Sequence, residues 1–343
     1  MAYVLDAEQE ALRATVRKFL ADHPSIPGIR AAADTDDPRQ DRAVWRRACS
    51  DVGLAGLLAS PEHGGAGAGV TEATIVLQEM GAVLDAGPML PVTAAIDALE
   101  RAGGELAEAY VPRLVSGEVV AAVAYGLDDP SAGTLSRVLG APDADVLVVV
   151  GSQQVTVVET ADVTLRTEHG IDLSRRHATV TGDLAGARRA PLGPDDASDL
   201  RDRFTALVVA ELTGVIGASV ESIVEYAKVR VAFGREIGSF QGFKHELAEL
   251  QVLLELARSV TRAIATAADE APDRLPLEAA VAAYWLPDTA ASVTSEVVRL
   301  FGGIGYTWEH DAHLYFRRAR GDIALLGPRG RAAARLDELI AVD

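Results

Sequence analysis

The chain has 343 residues, 49% hydrophobic and 24% charged, which belongs to an ordered protein of two or three domains. Its formal net charge of −18 argues against a general nucleic-acid binder, although a local cationic cluster could still hold a small anion. A single cysteine, Cys49, excludes an internal disulfide and any multi-thiolate metal site.

Residues 1–20 contain no apolar signal core. Apolar stretches such as 119–125 and 146–150 are too short to cross a bilayer. A cytoplasmic address with no membrane partner is expected. Leu12, Val16, Phe19 and Leu20 recur at helical spacing behind a potential Asp6 cap. Residues 34–39 break that pattern, and Trp45, Ala48, Cys49 and Val52 mark a second helix ending at Gly53. The glycine-rich loop 62–69 follows. Thr71 is expected to cap a helix running to about Val83, and 106–114 reads as a further helix.

Near Val119 the character changes. Runs at 119–125, 146–150, 155–159, 163–167 and 178–181 are rich in β-branched residues and punctuated by Gly, Pro, Asp and Ser. They predict a small antiparallel β domain, closed by the loop 191–196. Beyond Leu200 the helical period returns, first through Val208, Leu212, Val215, Ile216 and Ile223, then through Leu247, Leu250, Leu254 and Ile264. A third helix at 277–300 is expected to be interrupted at Pro287. The chain is therefore mainly α with a central β domain, divided at 1–118, 119–196 and 197–343.

Two segments carry chemistry. In Arg230-Val-Ala-Phe-Gly-Arg-Glu-Ile-Gly-Ser-Phe-Gln-Gly-Phe-Lys-His245 a helix ends on a guanidinium fork suited to a diphosphate. Gln241 then opens the next helix, where backbone N–H groups favour an anion. The same residues would also serve a plain helical hairpin turned by Gly234 and Gly238. The second segment, Phe301-Gly-Gly-Ile-Gly-Tyr-Thr-Trp-Glu-His-Asp-Ala-His313, lets a backbone approach a ligand at Gly302, Gly303 and Gly305. Alternatively it is a cap and turn. Glu309, His310, Asp311 and His313 lack the helical spacing of a metal set, so no metal is expected.

Together, in this order, the two segments resemble the acyl-CoA dehydrogenase family, with its R-x-x-F-G…I-G-x-F-Q-x-x-K/Q-H and G-G-x-G-[FY]-T-x-E motifs. Pro61-Glu-His-Gly-Gly-Ala-Gly67 and Asp172-Leu-Ser-Arg-Arg-His177 are also similar to family segments. The resemblance implies an N-terminal α domain, a middle β domain and a C-terminal four-helix bundle. It implies FAD, an acyl-CoA substrate and an electron acceptor such as an electron-transfer flavoprotein. Carried over, Arg230, Phe233, Gly234 and Gln241 would hold the ADP end of FAD, and Gly302, Gly303 and Gly305 would line it. Arg299 stands where the family usually has Gln.

Two departures qualify the activity. The family's catalytic glutamate falls at Leu326 by one placement and near Phe204 by the other, and neither neighbourhood supplies a carboxylate. Such a base is worth about 10²–10⁴-fold. The flavin-ring loop is reduced to a remnant at 124–133, and no Trp lies between Trp45 and Trp285. This combination implies a subunit of an α2β2 heterotetramer, a form that actinobacterial steroid-degrading members resemble, whose homologous partner carries the glutamate. Glu211, Glu309 and Asp311 are the candidates if the chain catalyses alone, although Glu211 reads more readily as an acidic residue of the bundle in an internal pair. The alternatives are a self-sufficient homo-oligomeric dehydrogenase, a reduced-flavin monooxygenase and a structural subunit.

Overall fold

The computed structural model describes residues 5–35, 41–127, 133–184 and 186–341. Three helices open it: α1 (Ala7–Asp22), α2 (Ser25–Thr35) and α3 (Arg42–Arg47). The Asp6 carboxylate accepts from the backbone N–H groups of Glu8 and Gln9, and the Gln9 side chain accepts from the Asp6 N–H. This reciprocal box satisfies donors that the first turn would otherwise leave free. A π-turn at Ala48–Val52 continues α3 and stops at Gly53, whose φ of 76° ends it.

The next helix, α4 (Val70–Ala82), does not use Thr71 as its cap. The N–H groups of Val70 and Thr71 and the Thr71 hydroxyl all donate to Asp269, at 2.7 to 2.8 Å. That carboxylate comes from the far end of α8 (Gln241–Glu270) and suits the positive end of the α4 dipole. Helices α5 (Met89–Ala102) and α6 (Gly104–Val115) follow. Sequence periodicity did not predict α5. It is buried continuously from Met89 to Leu99, and its polar Thr93 and Asp97 are buried too, Asp97 against Arg203.

Among the described residues seven strands form one sheet: β1 (Ala121–Leu127), β2 (Thr134–Leu139), β3 (Val146–Gly151), β4 (Gln154–Glu159), β5 (Thr164–Glu168), β6 (His177–Thr181) and β7 (Arg188–Pro191), in the order β5-β6-β2-β1-β3-β4-β7. The sheet is mixed rather than antiparallel as expected, because β1 and β3 run parallel with Val123 opposite Val148. Burial follows the strand period of two. Val146, Val148 and Val150 join the core shared with the helices, while Leu147 and Val149 face a smaller core containing Val180 and Leu184.

The C-terminal part comprises α7 (Asp196–Val229), a two-stranded hairpin β8 (Val231–Ala232) and β9 (Arg235–Glu236), then α8, α9 (Leu275–Leu300), α10 (Ala312–Leu326) and α11 (Arg329–Ile340). Helix α9 runs unbroken through Pro287, contrary to expectation; packing on α7 and α8 carries it past the missing N–H. By length and composition α7 could cross a membrane, but 72% of its most apolar window is buried inside the fold. Helices α4, α8, α9 and α10 surround it, and an all-round apolar helix is what that position requires. At the α4–α7 crossing a Cβ on Gly81 would lie 2.1 Å from the Glu211 carbonyl oxygen, and one on Gly214 2.0 Å from that of Gln78. Only glycine permits so close an approach.

Candidate functional site

The first motif forms a corner at the end of α7. There the chain turns through the β8–β9 hairpin, with Phe233 at φ 53° and Gly234 at φ 80°. The Ile237 N–H donates to the Arg230 carbonyl at 2.8 Å and closes the turn. The Arg235 guanidinium lies 3.9 Å from the Phe240 ring centroid, fixing the entry into α8. Facing this turn is the second motif, a 3₁₀ segment at Gly302–Tyr306. Between them lies an open cavity of about 600 Å³ lined by Tyr226, Arg230, Phe233, Phe240, Gly302 and Gly303, among others.

Arg230 is exposed and has no carboxylate partner among the described residues. A Cβ on Gly302 or Gly303 would meet no atom within 4 Å, so both present bare backbone to the cavity. Gly305 does not belong with them. It is buried, and its Cβ would lie 2.5 Å from the Val298 carbonyl oxygen, so its role is close packing. Arg299 is also placed differently from expectation. It forms ion pairs with Glu296 and Glu246, and its charge is already neutralised on the helix surface. Gln241 opens α8 and bonds to His245 at 2.9 Å, just outside the cavity wall.

A second cavity, about 570 Å³, lies where the sheet meets the bundle. Tyr125 and Phe204 line it with ring centroids 4.8 Å apart, and Leu325 and Gly327 close it from the α10–α11 junction. The two positions at which a catalytic glutamate was sought, Phe204 and Leu326, therefore flank or adjoin one cleft, and neither brings a carboxylate. Arg203 turns away to a paired contact with Asp97 at 2.8 Å. Part of the segment compared with the flavin-ring loop, residues 128–132, lies outside the described residues.

Beneath this cleft sits a buried ionic network that gives Glu211 the internal pairing expected of it, with partners the sequence did not name. Arg175 donates to both Glu211 oxygens at 2.5 Å and to Asp322 at 2.8 Å. Arg318, completely buried, donates to Glu211 at 2.8 Å, to Ser174 at 2.5 Å and to the Asp85 carbonyl at 3.0 Å. Ser174 in turn donates to Asp172 at 2.6 Å. Burial alone would raise the Glu211 pKa, but the charges of Arg175 and Arg318 outweigh it and hold the carboxyl below its ordinary value. Asp322 is pushed up to about 8 by burial and by the nearby Glu211 charge. A carboxylate with both oxygens held by guanidinium groups is no free base, so Glu211 belongs to the scaffold.

Neither of the other two carboxylate candidates lines the cleft. Asp311 accepts from Arg30 at 2.5 and 3.2 Å, and Arg30 also donates to the carbonyls of Trp308 and Glu309. This clasp ties the 308–311 loop to α2. His310 packs on Phe301 and His313 stacks on Trp308. Among the described residues no three His, Cys, Asp or Glu side chains converge as metal ligands.

Helices on both flanks of a mixed sheet, a cleft where sheet meets bundle and an arginine–glycine corner at the bundle's edge define an acyl-CoA dehydrogenase-like fold. The family models "Acyl-CoA dehydrogenase, N-terminal domain" and "Acyl-CoA dehydrogenase, C-terminal domain" match residues 6–118 and 203–335. The chain is 34% identical over 337 residues to acyl-CoA dehydrogenase IpdE2 of Mycolicibacterium smegmatis, covering 97% of this chain and 99% of that protein. Among solved structures, the ChsE4-ChsE5 complex from Mycobacterium tuberculosis contains a chain 26% identical, with TM-score 0.87 and full coverage of both chains. PigA, solved with FAD and proline, shares the fold at 17% identity, TM-score 0.86 and 99% coverage of both. The chain belongs to the acyl-CoA dehydrogenase family.

Proposed function

We propose that this chain is a subunit of an FAD-dependent acyl-CoA dehydrogenase, holding the ADP end of a flavin whose ring and catalytic glutamate belong to a homologous partner. The observation that carries the reading is the imbalance between the two cavities. The corner at Arg230 fits a nucleotide diphosphate: it offers an unpaired guanidinium fork, bare backbone at Gly302 and Gly303 and aromatic walls. It is open on one side, as a site completed by another chain would be. The cleft between Phe204 and the α10–α11 junction has no proton acceptor at either expected position.

When bound, FAD supplies the hydride acceptor for α,β-desaturation of an acyl-CoA thioester. This chain's residues then have limited tasks. Arg230 neutralises diphosphate charge, Gly302 and Gly303 allow close backbone approach, and Phe233 packs across the cofactor's edge. Neither expected position on this chain, Phe204 or Leu326, accepts the α-proton, which goes to the partner's carboxylate. The complex of ChsE4 with ChsE5 supports such a pairing by analogy. Electrons leave through an acceptor such as an electron-transfer flavoprotein, and the assembly works in the cytoplasm.

Coexpression with a glutamate-bearing homologue tests the reading. Flavin absorbance and acyl-CoA oxidation are expected only from the coexpressed complex. Arg230→Gln in that complex should weaken FAD retention at least tenfold, as expected for a lost charge-assisted contact. Stoichiometric FAD and turnover from the chain alone would contradict it.

A further inference from the structure

The four N-terminal helices enclose a further cavity of about 270 Å³, distinct from the Arg230 corner and from the cleft. Phe19 and Leu20 of α1, Ile29 of α2, Trp45 of α3 and Met80 of α4 supply its apolar wall. Ser174 and Arg175 close the side towards the bundle. The cavity and the cleft share no lining residue, and the Arg175–Glu211–Arg318 network separates them. Packed interiors leave few voids larger than a water molecule, so a space of this size calls for an occupant.

The polar groups in the wall say what kind. Trp45 is 3% exposed, and its indole N–H has no hydrogen-bond partner among the described residues. A buried indole N–H ordinarily finds an acceptor, and leaving it without one costs stability. No cation is left over for an anionic ligand. Arg175 is committed to Glu211 and Asp322, and Arg176 to Asp143. Asp85, the acid deepest in this wall, accepts from the Ser25 hydroxyl and the Gly87 N–H at 3.4 and 2.9 Å, and burial holds its carboxyl above the ordinary value. His23 stacks on Phe19 and donates from Nδ1 to the Phe19 carbonyl at 2.8 Å. The wall is therefore neutral in effect, mostly apolar, and carries one uncommitted donor.

Gly28 marks the entrance. It is exposed, it lines the cavity, and a Cβ there would meet no atom within 4 Å. Glycine inside a helix is unfavourable, and here no close contact demands it. Its effect is an open mouth in α2.

We infer that this cavity is a binding site for a small neutral molecule with an apolar ring body and one carbonyl or hydroxyl oxygen, which accepts from the Trp45 indole N–H. The inference does not depend on how the flavin and the catalytic glutamate are shared between chains.

Isothermal titration of the purified full chain with the bicyclic ketone indanone tests it, with indane, the same rings without the oxygen, as the comparison. Saturable binding of indanone is expected. Trp45→Phe keeps an aromatic wall and removes the donor, so it should weaken indanone about three- to tenfold, the worth of one neutral hydrogen bond, and move indane by less than about twofold. Gly28→Trp fills the mouth from an exposed position and should remove saturable binding of both compounds while leaving the unfolding midpoint in place. Absence of saturable indanone binding, an unchanged indanone affinity in either variant, or an equal loss for indane in Trp45→Phe would each overturn the inference.

Discussion

Two guanidinium groups, Arg175 and Arg318, share one buried space with three carboxylates, Glu211, Asp322 and Asp172. One negative charge is in excess, and Asp322, with its pKa near 8, is the group that keeps a proton at neutral pH. Below about pH 4 this carboxyl is protonated both folded and unfolded. Between about 4 and about 8 only the folded state holds the proton, so unfolding releases it and stability falls as pH rises. Above about 8 this loss is complete. Asp322→Asn should flatten the decline, measured as the urea midpoint at pH 5, 7 and 9. Removing Glu211 is different, because Glu211→Ala would leave two buried guanidinium groups without their main partner. A cost of about 3–5 kcal/mol is expected in chemical denaturation. If Glu211 were instead a catalytic base, Glu211→Gln would abolish turnover in the assembled complex while leaving the fold intact. An internal pair for Glu211 was legible from its place in the bundle, but its partners were not, since Arg175 and Glu211 come from different parts of the chain. Only the i, i+4 pair Arg318–Asp322 on α10 carried a local sign.

At the scale of elements, what the sequence disclosed depended on whether the cause was local. The corner from Arg230 to His245 was readable because a helix end, a turn and a helix start lie consecutively in the chain. Strands β1, β3, β4, β5 and β6 announced themselves by β-branched runs. Helix α5 did not, being buried on every side from Met89 to Leu99, and β2 did not, because the bulge at Arg137 breaks its alternation. The cap of α4 was misplaced for a related reason: its acceptor, Asp269, is contributed by α8. Asp269→Ala should cost about 1 kcal/mol, the usual worth of an N-cap carboxylate. The α4–α7 crossing is less forgiving. Alanine at Gly214 places a methyl group against the Gln78 backbone, which cannot swing aside as a side chain would. About 1–3 kcal/mol of destabilisation is expected in urea unfolding, with the helices forced apart and the network above Glu211 disturbed. An unchanged midpoint would mean that the two helices do not meet so closely in solution.

For the molecule as a whole, the informative surface is apolar. Val229, Val231, Phe233, Ile304, Tyr306 and Trp308 are all substantially exposed, and Phe233 is 95% exposed on a hairpin tip. All but Val229, which ends α7 beside them, belong to the two motif segments that form the Arg230 corner, so the apolar surface and the proposed nucleotide end coincide. Isolated exposed apolar residues need no explanation, but a cluster beside an unfinished cavity marks an interaction surface. Holding Phe233 at a positive φ has no evident value to the isolated chain, since its side chain packs little against its own fold. It does have value if the ring enters a pocket on a second chain. Phe233→Glu should therefore leave the unfolding midpoint of the isolated chain unchanged within error. In the coexpressed complex it should weaken assembly by at least about 30-fold, the loss expected when a central aromatic anchor is removed. Flavin content should fall in parallel, because the corner and the interface share residues. Sedimentation velocity and the flavin-to-protein absorbance ratio, read on the same samples, separate the outcomes. Intact assembly with intact flavin would remove Phe233 from the interface, and intact assembly without flavin would assign it to the cofactor alone.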